Sequence, residues 1–213
     1  MSLSNLSIKE FLSVVDSDSP TPGGGSVSAL AIAQGISLIN MTYHISIKKK
    51  KYLNATEETK HKYDENHKKL IELKKLSLNA VDQDKDAFNQ VMDAYALPKD
   101  NEVEKEVREN TIYMAMVNAT IVPQRVAAMA LESLRYAKEM FRITSPSTAS
   151  DFGVGVLMIY SGLKGAVLNI KTNMTGLNRT GDADQYLNRA SIIENESESV
   201  FQEVYNEVLK RLK

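Results

Sequence analysis

The stretch EETKHKYDENHKKLIELKKLSLNAVDQDKDAFNQVMDAYA, residues 57–96, contains neither proline nor glycine, and strong helix formers fill it until Pro98 in LPKD breaks it. Its first half is highly charged and reads as solvent-exposed. A helix of this length must pack its apolar positions against partners, and the flanking sequence offers them. Upstream, Ile8, Phe11, Leu12 and Val15 recur at spacings of three and four, which predicts an amphipathic helix over Ser7 to Asp16. The run SDSPTPGGG, with Pro20 and Pro22, ends it. A helix rich in Ala, Ser and Gly follows, from a cap at Ser26 or Ser28 to about Ile47; its small side chains would admit another backbone closely.

Downstream, Val103 to about Phe141 reads as a long helix that Pro123 should kink or split near Ala119 to Val122, by removing an N–H and clashing with the preceding turn. ITSPSTAS is a loop, and Ser147 or Ser150 is placed to cap a helix from Asp151 to about Met174. The last helix, Asp182 to Leu212, carries Tyr186, Ile193, Val200, Val204 and Val208 near heptad spacing. No segment alternates as a strand, and no linker or repeat interrupts the chain. The expectation is a single all-α domain over residues 1–213, a bundle of about six helices.

Composition agrees with a folded domain: 213 residues, 43% hydrophobic and 25% charged. A formal charge of -1 offers no broad basic field, so nucleic acid is not an expected partner. The absence of cysteine excludes disulfides, thiol nucleophiles and thiolate metal sites and suits a reducing cytoplasm. MSLSNLSIKEF lacks the features of a secretory signal. Val27 to Ile47 is uncharged and precedes Lys48 to Lys51, but Ser28, Gln34, Asn40 and His44 make it too polar for a comfortable lipid-facing helix. No membrane association is expected.

Three constellations could carry chemistry. In VDQDKDAF, Asp82 and Asp86 fall on the solvent side with Asn89 and Asp93, whereas Asp84 lies on the apolar stripe of Val81, Phe88, Val91 and Tyr95. A core-facing carboxylate is paired, protonated or catalytic; burial would raise its pKa and make it a proton acceptor or donor near neutrality. The alternative is a structural carboxylate that caps or bridges a neighbouring helix. The triplet mimics an EF-hand start, but Ala87 stands where glycine is needed and Asp93 replaces the last glutamate, so calcium is not expected.

On the helix after Ser150, one face is built from Asp151, Gly155, Met158, Gly162, Gly165, Asn169 and Asn173. That face is either a close helix contact, within or between subunits, or a groove floor where Asp151, Asn169 and Asn173 bind a flat polar ligand. In PTPGGGS, the backbone N–H groups of Gly23, Gly24, Gly25 and Ser26 could meet an anion or carbonyl at a helix start, or the run could be a flexible turn. It is neither a Walker loop nor a dinucleotide fingerprint. Lys48 to Lys51 could hold anionic groups or be a solvated charge run. His61 and His67 are six apart and share no helical face, so a histidine metal site is not expected.

Taken in order, PTPGGGSVSALAIAQG (Pro20 to Gly35), the Met41 to Tyr52 segment ending in KKKKY, VDQDKDAF, LPK (Leu97 to Lys99), Val122-Pro123, SDFGVG (Ser150 to Gly155) and GAVLNIKTN (Gly165 to Asn173) resemble the cyclodeaminase/cyclohydrolase family of folate enzymes. The departures are Thr144 and Ser145 where the family usually has Gly-Asn, Gly155 for a more usual Ala, and Lys171 and Thr172 for apolar residues. The resemblance implies an all-helical homodimer, a reduced folate as substrate, no metal and no cofactor beyond that tetrahydrofolate. It implies that Asp84 is the active-site aspartate. It further implies that Asp151, Asn169 and Asn173 bind the pterin amide edges, and that Gly23 to Ser26 with Lys49 and Lys50 meet carbonyl or glutamate-tail oxygens. The expected activity is hydrolysis of 5,10-methenyltetrahydrofolate to 10-formyltetrahydrofolate. Cyclodeamination of 5-formiminotetrahydrofolate is the second reading, and a non-enzymatic helical assembly module the third.

Overall fold

The structure is a computed structural model that describes residues 2–175, 177 and 180–213, and among these there are helices and no strands. Seven α-helices follow in order: α1 (Ile8–Val15), α2 (Gly24–Ser46), α3 (Lys50–Leu53), α4 (Glu57–Tyr95), α5 (Glu102–Phe141), α6 (Ala149–Met174) and α7 (Thr180–Arg211). Short 3-10 turns sit at Leu3–Asn5 and Pro146–Thr148. The sequence therefore yields one more helix than expected: α3 is a single turn after the lysine run, too short for a periodic signal.

Local chemistry accounts for several boundaries. Ser7 and Glu10 close a reciprocal capping box on α1. Thr56 caps α4 through the Thr59 N–H, and Asn101 caps α5 through the Glu104 N–H. Other starts differ from expectation. Ser26 and Ser28 do not cap α2; its N-cap is Gly23, with no side chain to offer, and both serines lie inside the helix. Neither Ser147 nor Ser150 caps α6, which begins after Thr148 without a side-chain cap, its first turn following directly from the 3-10 turn. The Asp182 start expected for α7 moves to Thr180, and the capping of that helix falls outside the described residues. Pro123 does not split α5, which continues as a helix through residues 119–122; Val122, Pro123 and Val126 are buried, so tertiary packing outweighs the lost hydrogen bond.

The long helices run alternately up and down. α6 is central, packed on α2, α5 and α7, while α4 covers α2 and α5. The α2–α6 seam is antiparallel, with Gly35 opposite Gly155 and Ser28 opposite Gly162 and Gly165. A Cβ added at Gly155 would lie 2.8 Å from the Gly35 carbonyl oxygen, and one at Gly162 would lie 2.6 Å from that of Ser28. The glycine face of α6 is thus a helix contact within the chain, and Ile32, Ile36, Ile39, Ile159 and Leu163 are wholly buried along it. α2, α5 and the Pro146–Met174 segment are each long and apolar enough to cross a membrane by length and composition, but about half of each apolar window is buried inside the bundle.

Candidate functional site

Antiparallel packing of α4 on α2 brings Asp84 to the start of α2, the end that lacks a local cap. The Ser26 hydroxyl donates to Asp84 Oδ2 at 3.0 Å, and the Ser26 N–H also favours the charged carboxylate. The orphan N–H groups and positive dipole end of α2 favour an anion there. Burial pushes the Asp84 pKa up and Ser26 opposes it, with burial prevailing. The carboxylate is half-buried. It therefore fills the role of a cap supplied from another helix and also remains reachable, so the structural and chemical readings of Asp84 coincide.

The apolar stripe of α4 is displaced from the expected one. Val81, Val91 and Ala94 are buried, but Phe88 is only half-buried and Tyr95 is exposed, because α4 rotates small residues toward α5. The neighbouring acids also fan out. Asp82, expected in solvent, accepts from the Ser2 hydroxyl at 2.8 Å, the Leu3 N–H at 2.5 Å and the Ser4 hydroxyl at 2.9 Å. Burial alone would raise its pKa, but these donors hold it below the usual range. Asp86 is exposed beside Lys85.

The expected binding residues divide into two groups. Asn169, which donates to the Gly165 carbonyl at 2.8 Å, lies 3.4 Å from where a Gly24 Cβ would stand, so α6 delivers it to the glycine turn. Asn173 is one turn further and donates to the Ala119 carbonyl of α5 at 3.0 Å, one of the two N–H groups of its amide. Asp151 is at the opposite end of α6, about 27 Å from Asn169 at the helical rise. Lys49 and Lys50 follow the far end of α2, about 30 Å from Gly25. Within one chain, then, the glycine turn, Asp84 and Asn169 come together; Asp151, Lys49 and Lys50 do not join them.

At that second end Thr144 and Ser145 are buried: the Ser145 N–H donates to the Ser46 hydroxyl at 2.8 Å, and Arg211 donates to the Thr144 carbonyl at 3.0 Å. Burial and the Arg211 charge together lower the pKa of Lys51.

Sequence reading missed an aromatic cluster beside the lysine run. Tyr43 and Tyr52 both donate to Asp64, at 2.9 and 3.0 Å, and Tyr43 stacks on His67 with ring centres 3.7 Å apart. His67 Nδ1 shares a 3.0 Å hydrogen bond with Asn40 Oδ1. Asp64 and His67 stand three apart on α4, a spacing that marks one face, and this was the available signal.

Two cavities lie elsewhere. One of about 550 Å³ between α5 and α7 is lined by Arg135, Tyr136, Arg189 and Ile192, and one of about 270 Å³ between α4 and α5 by Leu76, Gln83 and Arg125. Neither contains Asp84.

The pattern of the formiminotransferase-cyclodeaminase family matches residues 7–191. The methenyltetrahydrofolate cyclohydrolase of Methylorubrum extorquens is 31% identical over 208 residues, 98% of each chain. The formimidoyltransferase-cyclodeaminase of Mus musculus is 26% identical over 173 residues, which are 81% of this chain and 31% of that protein. The crystal structure of formiminotetrahydrofolate cyclodeaminase from Thermotoga maritima superposes with a TM-score of 0.85 over 99% of this chain and all of that one, at 22% identity, a likeness of fold. Sequence and fold agree over nearly the whole length, and the chain belongs to the formiminotransferase-cyclodeaminase family.

Proposed function

We propose that this protein is a methenyltetrahydrofolate cyclohydrolase of one-carbon folate metabolism that acts without metal or further cofactor in the cytoplasm. The observation that carries the reading is the end-to-end match to a cyclohydrolase of the same length, combined with a half-buried Asp84 at the start of α2. The one-carbon bridge of 5,10-methenyltetrahydrofolate is an amidinium-like cation between N5 and N10. The Asp84 carboxylate stabilises that cation and takes one proton from the attacking water as its oxygen bonds to the bridge carbon. Asp84 then returns the proton to N5 as the carbon–N5 bond breaks. The adduct hydroxyl loses its proton to solvent as the formyl carbonyl forms on N10, so the cationic substrate and one water give the neutral formyl product and one proton.

We infer also a homodimer with sites shared between subunits. Val27 and Met41 of α2 and Val154, Leu157 and Leu168 of α6 leave an apolar face exposed to solvent. A two-fold interface is self-complementary. Laid antiparallel on itself, this face would carry Lys49, Lys50 and Asp151 of one copy toward Gly23 to Ser26, Asp84 and Asn169 of the other. Asp151, Asn169 and Asn173 would then recognise the pterin, and the lysines the glutamate tail. Cyclodeamination, suggested by the second relative's name, uses the same bicyclic intermediate.

The test is loss of the methenyltetrahydrofolate absorption band on adding purified protein, beside ammonia release from the formimino substrate. Band loss above the spontaneous rate that falls about 10²–10⁴-fold in Asp84→Asn supports the cyclohydrolase. Ammonia release without band loss assigns the cyclodeaminase instead. Neither activity in the wild type leaves the assembly module.

A further inference from the structure

The hydroxyl of Ser26 faces two acceptors at once. Its oxygen lies 2.9 Å from the Val81 carbonyl oxygen and 3.0 Å from Asp84 Oδ2, and the serine is fully buried, so its hydroxyl turns between these two protein acceptors and not toward bulk water. A serine hydroxyl has one proton to donate and lone pairs with which to accept. It can satisfy only one of these oxygens as a donor at a time, and which one is set by the state of the carboxyl. With Asp84 ionised, the hydroxyl donates to Oδ2. With Asp84 protonated, the carboxyl O–H donates to the Ser26 oxygen and the hydroxyl is released to the Val81 carbonyl.

We propose that Ser26 is a positioning residue whose hydroxyl rotates between Asp84 and the Val81 carbonyl, giving both protonation states of the catalytic carboxyl a complete hydrogen bond. When Asp84 takes a proton from water, Ser26 keeps its own and turns it through the angle between the two acceptors; no further group is consumed. The surroundings leave Ser26 as the group that answers the proton. On α2, Gly24 and Gly25 carry no side chain, and α6 offers the neutral Asn169. On α4, Asp82 is engaged by Ser2 and Ser4, and Lys85 pairs with Asp86 at 3.6 Å. On α5, Arg125 is held by Gln83 at 3.2 Å. This assignment deepens the reading of Asp84 as proton acceptor and replaces substrate contact as the role of the Ser26 side chain.

The test follows the carbonyl carbon of Val81 and the carboxyl carbon of Asp84 by ¹³C NMR through a pH titration of the intact protein, which requires no turnover. In the wild type both resonances titrate with one midpoint. In Ser26→Ala the Val81 response disappears and the Asp84 midpoint rises by about half a unit to one unit, the difference between a charge-assisted and a neutral hydrogen bond. Ser26→Cys, which preserves volume and a weak donor, falls between. In the turnover assay, Ser26→Ala lowers kcat about tenfold with KM nearly unchanged, moves the acid limb upward, and adds nothing in an Asp84→Asn background. A Val81 carbonyl that does not titrate in the wild type, or that titrates equally in Ser26→Ala, overturns the proposal. Absence of methenyl turnover with a normal carbonyl titration overturns the functional reading alone.

Discussion

Asp84 lies flat against the backbone of Gly25: a Cβ at that position would stand 2.5 Å from the carboxyl carbon, 2.6 Å from Oδ2 and closer still to Oδ1. The side chain absent from Gly25 is therefore the space that Asp84 occupies. Gly25→Ala should displace the carboxylate and lower kcat about 100-fold or more, since an ångström of misplacement has that effect. Comparing kcat with the urea midpoint checks this, because the kinetic loss should far exceed the loss in stability.

The pH dependence of turnover follows from the same residue. Burial raises the Asp84 pKa, so the carboxylate is lost at a higher pH than an exposed aspartate would lose it. The reactive species is the ionised form. A pH–kcat profile should therefore fall on its acid side, with a midpoint above the ordinary aspartate range, and Asp84→Asn should abolish that limb.

His67 supplies an independent prediction about stability. Burial, and then repulsion from His44, lowers its pKa from 6.5 to about 4, with Lys74 adding in the same direction and Asp64 opposing. The folded protein holds the imidazole neutral while the unfolded chain protonates near 6.5. The folded state accordingly loses stability as pH falls from about 6.5 toward 4, by about 2 kcal/mol between pH 7 and 5. Urea midpoints at the two pH values measure it, and His67→Gln should flatten the difference.

Legibility followed local chemistry. The length of α4 and the inward turn of Asp84 could be read from proline and glycine spacing and from helical period. The start of α2 could not: Ser26 and Ser28 look like caps in sequence, but that helix end is completed by a carboxylate 58 positions away. Pro123 reads as a kink or split because its lost hydrogen bond is local, whereas the packing that carries α5 past it unsplit comes from distant helices. The Tyr43, Tyr52, Asp64 and His67 cluster is assembled from three helices, and no single window of sequence contains it. Asp82 reads as solvent-facing for a similar reason, since its partners Ser2, Leu3 and Ser4 are about 80 positions away.

The seam between α2 and α6 can be tested at Gly162. Its added Cβ would lie 2.6 Å from both the Ser28 carbonyl oxygen and Ile32 Cγ1. Overpacking there costs about 1–3 kcal/mol against the roughly 1 kcal/mol of helix propensity that alanine contributes, so Gly162→Ala should lower stability by up to about 2 kcal/mol. Chemical denaturation reads the sign directly.

Sharing of the site can be tested by mixing. Asp84→Asn and the double variant Lys49→Ala, Lys50→Ala should each be impaired alone. If the two groups of residues meet only across a two-fold axis, re-equilibrated mixtures contain heterodimers with one intact site, and about a quarter of wild-type activity should return. No recovery, with subunit exchange verified by mass spectrometry, places the lysines outside the site.

Bare backbone against bare backbone at Gly35 and Gly155 leaves α2 and α6 no slack to slide. The two helices behave as a ruler, and the separation between the glycine turn and the lysine run is a manufactured length, set by a seam that touches neither. A catalytic arrangement spread over two molecules would then be gauged by residues that perform no chemistry, and lengthening α2 by a single turn should put the two halves out of reach of one folate while each subunit still folds.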